Sequence, residues 1–276
     1  MSVSTMFLYG DKSDEAALVY AARLAKLLVQ PLRVVASVPD PSNVYAYSMP
    51  EFSMGFSTQL SRQIIEEQET VIAESRAAFK RVSEAEALVE DRATFLHRAG
   101  YPTQAAAEEA LLTDAFVFPR AAARGGHALS SACEHILMDR ALPIIVSGSD
   151  PRVQGPVIIA WDGSEQVARS VRLHLPVFRH IGEVTIAHKD EGSARSGEAS
   201  VPAHLQQWLQ EKGISVETKA LSGHVGHGLL DLAKQHDAAM IVSGAYGHSR
   251  AGQYLFGGVT RTLMQADEAP ALALCH

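Results

Sequence analysis

Short apolar runs alternate with amphipathic stretches along most of this 276-residue chain. In the second half, the runs at 157–161, 184–188, 214–220, 239–243 and 271–275 read as strands. The stretches at 165–178, 202–212, 224–236 and 258–266 read as helices. Strands alternating with helices imply a parallel sheet covered by helices on both faces. Ligands of such sheets bind beyond the carboxyl ends of the strands, where strand order reverses. Asp162, Lys189 and Gly244 all fall at such ends.

The first half repeats this opening. Met6-Phe7-Leu8-Tyr9-Gly10-Asp11-Lys12-Ser13 parallels Val157-Ile158-Ile159-Ala160-Trp161-Asp162-Gly163-Ser164. Each is an apolar strand ending in an aspartate, followed by a serine able to cap a helix. A helical pattern follows each, Glu15 to Leu28 and Glu165 to Phe178, and then a second strand, 32–36 and 184–188. The halves also end alike, at 141–146 and 269–274. A duplication offset by about 150 residues accounts for this. It predicts an α/β protein of two tandem doubly wound, Rossmann-like domains, 1–148 and 154–276, joined by the linker Gly148 to Gly155. The first half adds an aromatic-rich insertion at 37–57. A helix of about 24 residues follows, with Leu60, Ile64, Val71, Phe79 and Val82 near heptad spacing. Loop and helix read as packing against the other domain, with a lid over a ligand pocket as the alternative.

Chemistry concentrates between Gly244 and Thr260. Gly244-Ala245-Tyr246-Gly247 follows a strand, and Gly257-Gly258-Val259-Thr260 opens a helix. Glycine permits close approach, and the first N–H groups of a helix lack internal partners, so this pattern suits an anion. Consecutive glycines inside a helix cost about 1 kcal/mol each, which favours a role in which bare N–H groups face a ligand. His248, Ser249 and Arg250 follow Gly247, where a charge could meet phosphate. The first half has Pro119 and Ala122 in place of Gly244 and Gly247, and Ser130-Ser131 in place of Gly257-Gly258. It therefore reads as having lost the nest. Gly125-Gly126 beside Arg120 and Arg124 leaves a weaker anion site there as an alternative.

Composition removes several classes. The chain is 47% apolar and 20% charged, with a net charge of −7. That balance argues against a nucleic-acid surface. Residues 1–150 carry 13 Lys+Arg against 19 Asp+Glu, and residues 151–276 carry 11 against 12. A polyphosphate would therefore meet little general repulsion in the second half. Two distant cysteines, Cys133 and Cys275, fit a reducing compartment. No apolar run approaches the roughly 20 residues of a membrane helix. A cytoplasmic protein is the expectation. His224 and His227 stand at i, i+3, but no third ligand is placed, so no metal is expected.

With these motifs in place, the chain resembles a tandem universal stress protein, strongly from Val157 to Leu274 and less so from Thr5 to Val146. Nucleotide-binding members of that family carry Gly-x2-Gly-x9-Gly-(Ser/Thr). Gly244, Gly247 and Gly257 match it, while Gly258 stands where the family has a hydroxyl, which Thr260 is placed to supply. The resemblance implies that Asp162, with Ala160 and Trp161 before it, meets adenosine. It implies that the backbone at His188 and Lys189 meets adenine, and that Gly244, Gly247, His248 and Gly257 through Thr260 hold phosphate. It further implies a non-enzymatic stress-response protein that binds ATP, AMP or another adenine nucleotide, with or without Mg. The domains, or two chains, would pair through their last strands. A nucleotide-free scaffold and a slow ATPase are the alternatives. No Gly-x-x-x-x-Gly-Lys-(Ser/Thr) loop is present, and no nucleophile with an assignable base.

Overall fold

The computed structural model describes residues 2–8, 12–38, 54–180, 183–189, 202–245 and 258–276. Among them, ten strands form one sheet in the order β3-β2-β1-β4-β5-β10-β9-β6-β7-β8. The first half supplies β1 (Val3–Met6), β2 (Leu32–Val38), β3 (Ala93–Ala99), β4 (Ala115–Phe118) and β5 (Ile144–Val146). Its helices are α1 (Lys12–Leu28), α2 (Met54–Ala85), α3 (Pro102–Ala110), α4 (Arg120–Arg124) and α5 (Ser130–Glu134). The second half supplies β6 (Val157–Trp161), β7 (Glu183–Lys189), β8 (Ser215–Leu221), β9 (Met240–Gly244) and β10 (Ala271–Cys275). Its helices are α6 (Glu165–Phe178), α7 (Pro202–Gln210), α8 (Val225–Gln235) and α9 (Gly258–Gln265).

Each half runs its strands in parallel, and the halves meet antiparallel. Leu272 pairs with Val146, Ala273 with Ile145 and Leu274 with Ile144. These strands are buried on both faces, which is why they read as continuous apolar runs. One apolar cluster joins Phe7, Leu18 and Leu24 to Val167, Val171 and Leu209. The other joins Phe116, Leu129 and Ile136 to Leu229, Leu263 and Leu272. Each cluster draws on both halves, so the core is continuous across the junction. Gly148 packs closely against the segment that leads into β10. A Cβ there would stand 3.1 Å from the Pro270 carbonyl carbon and 3.2 Å from the Ala269 oxygen.

The second-half elements fall within two residues of the sequence expectation. The first half departs more. Its first strand begins at Val3 rather than Met6, because Ser4 and Thr5 are buried with their hydroxyls satisfied. Ser4 Oγ donates to Glu109 Oε1 at 3.1 Å and meets Thr113 Oγ1 at 2.8 Å, while Thr5 Oγ1 donates to the Val117 carbonyl at 2.9 Å. Such polar residues hide a strand from an apolar-run reading. Helix α2 has 32 residues rather than about 24. Its Phe79 and Val82 pack into the first cluster and Val71 into the second. Strand β3 and helix α3 had no expectation attached to them. Residues 39–53 of the insertion lie outside the described residues.

Candidate functional site at the carboxyl edge of the second half

Strand order in the second half reverses between β6 and β9, the two strands that flank its ligand face. Both are central and parallel, with Val157, Ile158 and Ile159 opposite Met240, Ile241 and Val242. On the other side Trp161 stands opposite His188. The register thus brings the ends of β9, β6 and β7 into one row, carrying Gly244, Trp161 and His188.

Asp162 leaves β6 into an Asx turn, its Oδ1 accepting from the Ser164 N–H at 2.9 Å. Ser164 is the N-cap of α6, with Oγ accepting from the Val167 N–H at 3.3 Å. The two residues divide the local work: serine caps and aspartate shapes the turn. Asp162 stays exposed at the edge. Trp161 packs against the first apolar cluster, and its Nε1 is buried without a hydrogen-bond partner among the described residues. His188 Nδ1 lies 3.1 Å from the Lys189 carbonyl, and the Lys189 side chain is exposed.

Gly244 has a packing requirement as well. A Cβ there would meet Gln166 Cβ and the Val167 backbone nitrogen, each at 2.9 Å. The glycine lets the end of β9 touch the first turn of α6. The opening of α9 is tied to the same point, because Thr260 Oγ1 donates to the Gly244 carbonyl at 3.3 Å and Thr260 is buried. The Thr260 hydroxyl, which the resemblance would have meet phosphate, is engaged here in anchoring α9 to β9. Val259 packs against the second cluster. Gly258 is exposed, and a Cβ there would meet nothing within 4 Å. Gly247, His248 and Gly257 lie outside the described residues, as do Ser249 and Arg250. The structure therefore assembles Ala160 to Asp162, His188, Gly244 and the start of α9 at one edge.

Among the described residues the first half shows no equivalent tie, and its loop after β4 faces the second half instead. The alternative anion site at Arg120 and Arg124 is overturned, because both guanidiniums are engaged with backbone of the second half. Arg120 is buried and donates to five carbonyls. Those are Ser147 at 3.3 Å, Leu263 at 3.0 Å, Ala266 at 3.1 Å, Ala269 at 2.9 Å and Pro270 at 2.7 Å. Burial and the neighbouring Arg124 charge lower its pKa to about 10, against the pull of Asp267 and Glu268, so it stays charged at neutral pH. Arg124 donates to the Met264 carbonyl at 2.8 Å, the Gln265 carbonyl at 3.1 Å and Asp267 Oδ1 at 2.7 Å. Sequence spacing held no signal for these contacts, which apart from that to Ser147 span about 140 to 150 positions. A mainly apolar cavity of about 780 Å³ instead lies between α2 and the ends of β2 and β3, lined by Val38, Ile65, Ile72, Arg76, His97 and Ala99 among others.

Among the described residues no cluster suits a metal. His224 is the N-cap of α8, with Nδ1 accepting from the His227 N–H at 3.4 Å. Both cysteines are free and buried, and burial raises Cys133 to about 12 and Cys275 to about 11. Among the described residues no helix is long and apolar enough to cross a membrane.

A doubly wound sheet with Gly244 at its switch point and Gly258 opening the next helix defines an α/β protein of Rossmann-like fold. Residues 180–273 match the model of the Universal stress protein family. The matched span begins after β6 and Asp162. A universal stress protein from Archaeoglobus fulgidus DSM 4304 is similar over 99% of this chain and 97% of its own, with a TM-score of 0.65 and 15% identity. A functionally unknown protein from Pseudomonas aeruginosa PAO1 is similar over 99% and 92%, with a TM-score of 0.56 and 13% identity. These likenesses establish the tandem fold. A universal stress protein from Archaeoglobus fulgidus in complex with dAMP overlaps 45% of this chain and 100% of its own, at 21% identity and a TM-score of 0.34. That superposition is too weak to carry a ligand across. No protein of curated function matches the sequence.

Proposed function

We propose that the second half binds an adenine nucleotide, ATP or a relative, with Mg²⁺ accompanying the phosphates. Occupancy rather than turnover is its output. The carrying observation is the convergence of the Asp162 turn, the end of β9 and the start of α9, tied to β9 through Thr260, at one switch point. There the α9 N–H groups and the positive end of the helix favour an anion. The reading as a binder rests on side chains engaged in local contacts: Asp162 to Ser164, His188 beside Lys189 and Thr260 to Gly244. The first half serves as a built-in partner through the β5–β10 pairing.

A nucleotide that binds only the folded state raises its stability by mass action. The test is to denature the purified protein, identify released nucleotide by chromatography, and titrate ATP calorimetrically. No nucleotide in either assay would sink the proposal. Multiple-turnover phosphate release lost on Asp162→Ala would replace it with an ATPase. The buried Thr260 hydroxyl and the missing hydroxyl at Gly258 favour a second reading, a protein-binding scaffold without nucleotide. The same two assays separate the readings.

A further inference from the structure

We infer that the first half governs anion binding in the second through α9, with Arg120 and Arg124 as positioning residues. This rests on the nucleotide reading above. Helix α9 has eight residues. A helix that short does not hold itself together in water and depends on contacts at its flanks and ends. Its last carbonyls lack intrahelical donors. Leu263 receives Arg120, while Met264 and Gln265 receive Arg124. Arg120 continues to Ala266, Ala269 and Pro270, and so clasps the whole turn that leads into β10. Ser149 Oγ, in the linker, adds a bond to the Asp267 carbonyl at 3.0 Å.

The clasp and the candidate phosphate site therefore occupy opposite ends of one helix. Cations at the carboxyl end and an anion at the amino end both stabilise it. Whatever forms the helix in advance lowers the ordering cost of binding at the other end. Coupling of this kind is reciprocal: the clasp tightens the ligand and the ligand tightens the clasp. The loop that reads in the sequence as a degraded nest is, on this inference, the part that sets the surviving one.

The test titrates ATP into the full chain and into R124Q, R124K and R152Q. Arg152 is a control, since its hydrogen bonds among the described residues go to Asp237 and Ala238 after α8. The expected result is an affinity about fivefold or more weaker in R124Q, partly recovered in R124K and unchanged in R152Q. Hydrogen exchange on the unaltered protein supplies a second readout, with ATP slowing the amides of Asp267 to Ala269 at the far end of α9. If R124Q fails to fold, that exchange measurement decides alone. Unchanged affinity in R124Q with no slowing overturns this inference and leaves nucleotide binding standing. Equal weakening in R124Q and R152Q reduces the effect to general stability and also overturns it. An unaltered protein that takes up no ATP overturns both readings.

Discussion

The loop after β4 and the stretch after β9 occupy equivalent places, each beyond a central strand at a switch point. In the second half Gly244 brings β9 against α6, and α9 opens on the exposed Gly258. In the first half Pro119 precedes a short helix whose two arginines point across the junction. Proline removes an N–H, and a guanidinium turned toward carbonyls is no longer available to an anion. His127 closes on its own half instead, with Nε2 3.2 Å from Asp14 Oδ1 and its backbone N–H bonded to Ser130 Oγ. The loop after β4 thus has a structural role, and what it supports lies in the other copy.

Breaking the clasp gives the largest expected effect. Arg120→Met leaves five carbonyls short of a donor in a buried place and should cost about 3–5 kcal/mol in urea denaturation. A loss below about 1 kcal/mol would show that the junction relaxes around it.

The aligned positions of α1 and α6 offer a second contrast. Arg23 is half-buried and donates to Glu86 Oε1 at 2.8 Å. Counted from the paired aspartates Asp11 and Asp162, its counterpart is His174, which is fully buried. His174 Nδ1 lies 2.8 Å from the Ser170 carbonyl, and Nε2 has no well-formed bond. Burial lowers its pKa from 6.5 to about 4, against weaker opposing contacts with Ser170 and Ile144 backbone. The unfolded chain then binds the proton more readily than the folded one. The stabilisation is complete above about pH 6.5 and is lost as pH falls toward 4, on the order of 3 kcal/mol in all. His174→Met should flatten that stretch of a stability–pH curve, and an unchanged slope would assign the acid sensitivity elsewhere.

Gly244→Ala comes next. Its methyl would press on the α6 backbone and should cost about 1–3 kcal/mol. Pro119→Ala, at the equivalent place, should stay within about 0.5 kcal/mol. Equal losses in thermal melts would mean that both loops pack alike. The smallest effect sharpens the contrast. Gly258→Ser fits without contact and should tighten ATP by about 0.5–1.5 kcal/mol through one added hydroxyl. Calorimetry with no gain would place phosphate away from Gly258.

Much of the frame was legible because buried parallel strands and amphipathic helices write their periods into the chain. The boundaries of β6, α6 and β10 agree with the apolar runs to the residue. The start of β1 did not, because Ser4 and Thr5 look like loop until their partners at 109, 113 and 117 are placed. Asp162 and Gly244 were legible as members of one edge. The role of Thr260 was not, since its hydroxyl bonds a carbonyl sixteen positions earlier.

The sequence by itself determined the duplication, the alternation of strands and helices, and the asymmetry of the glycines, all of them local patterns or repeats of local patterns. Only the tertiary structure decided that the last strands, β5 and β10, pair within one chain, and that Arg120 and Arg124 serve the second half. Those contacts form between residues more than 120 positions apart. Their partners are backbone carbonyls, which every residue carries and no side-chain pattern announces.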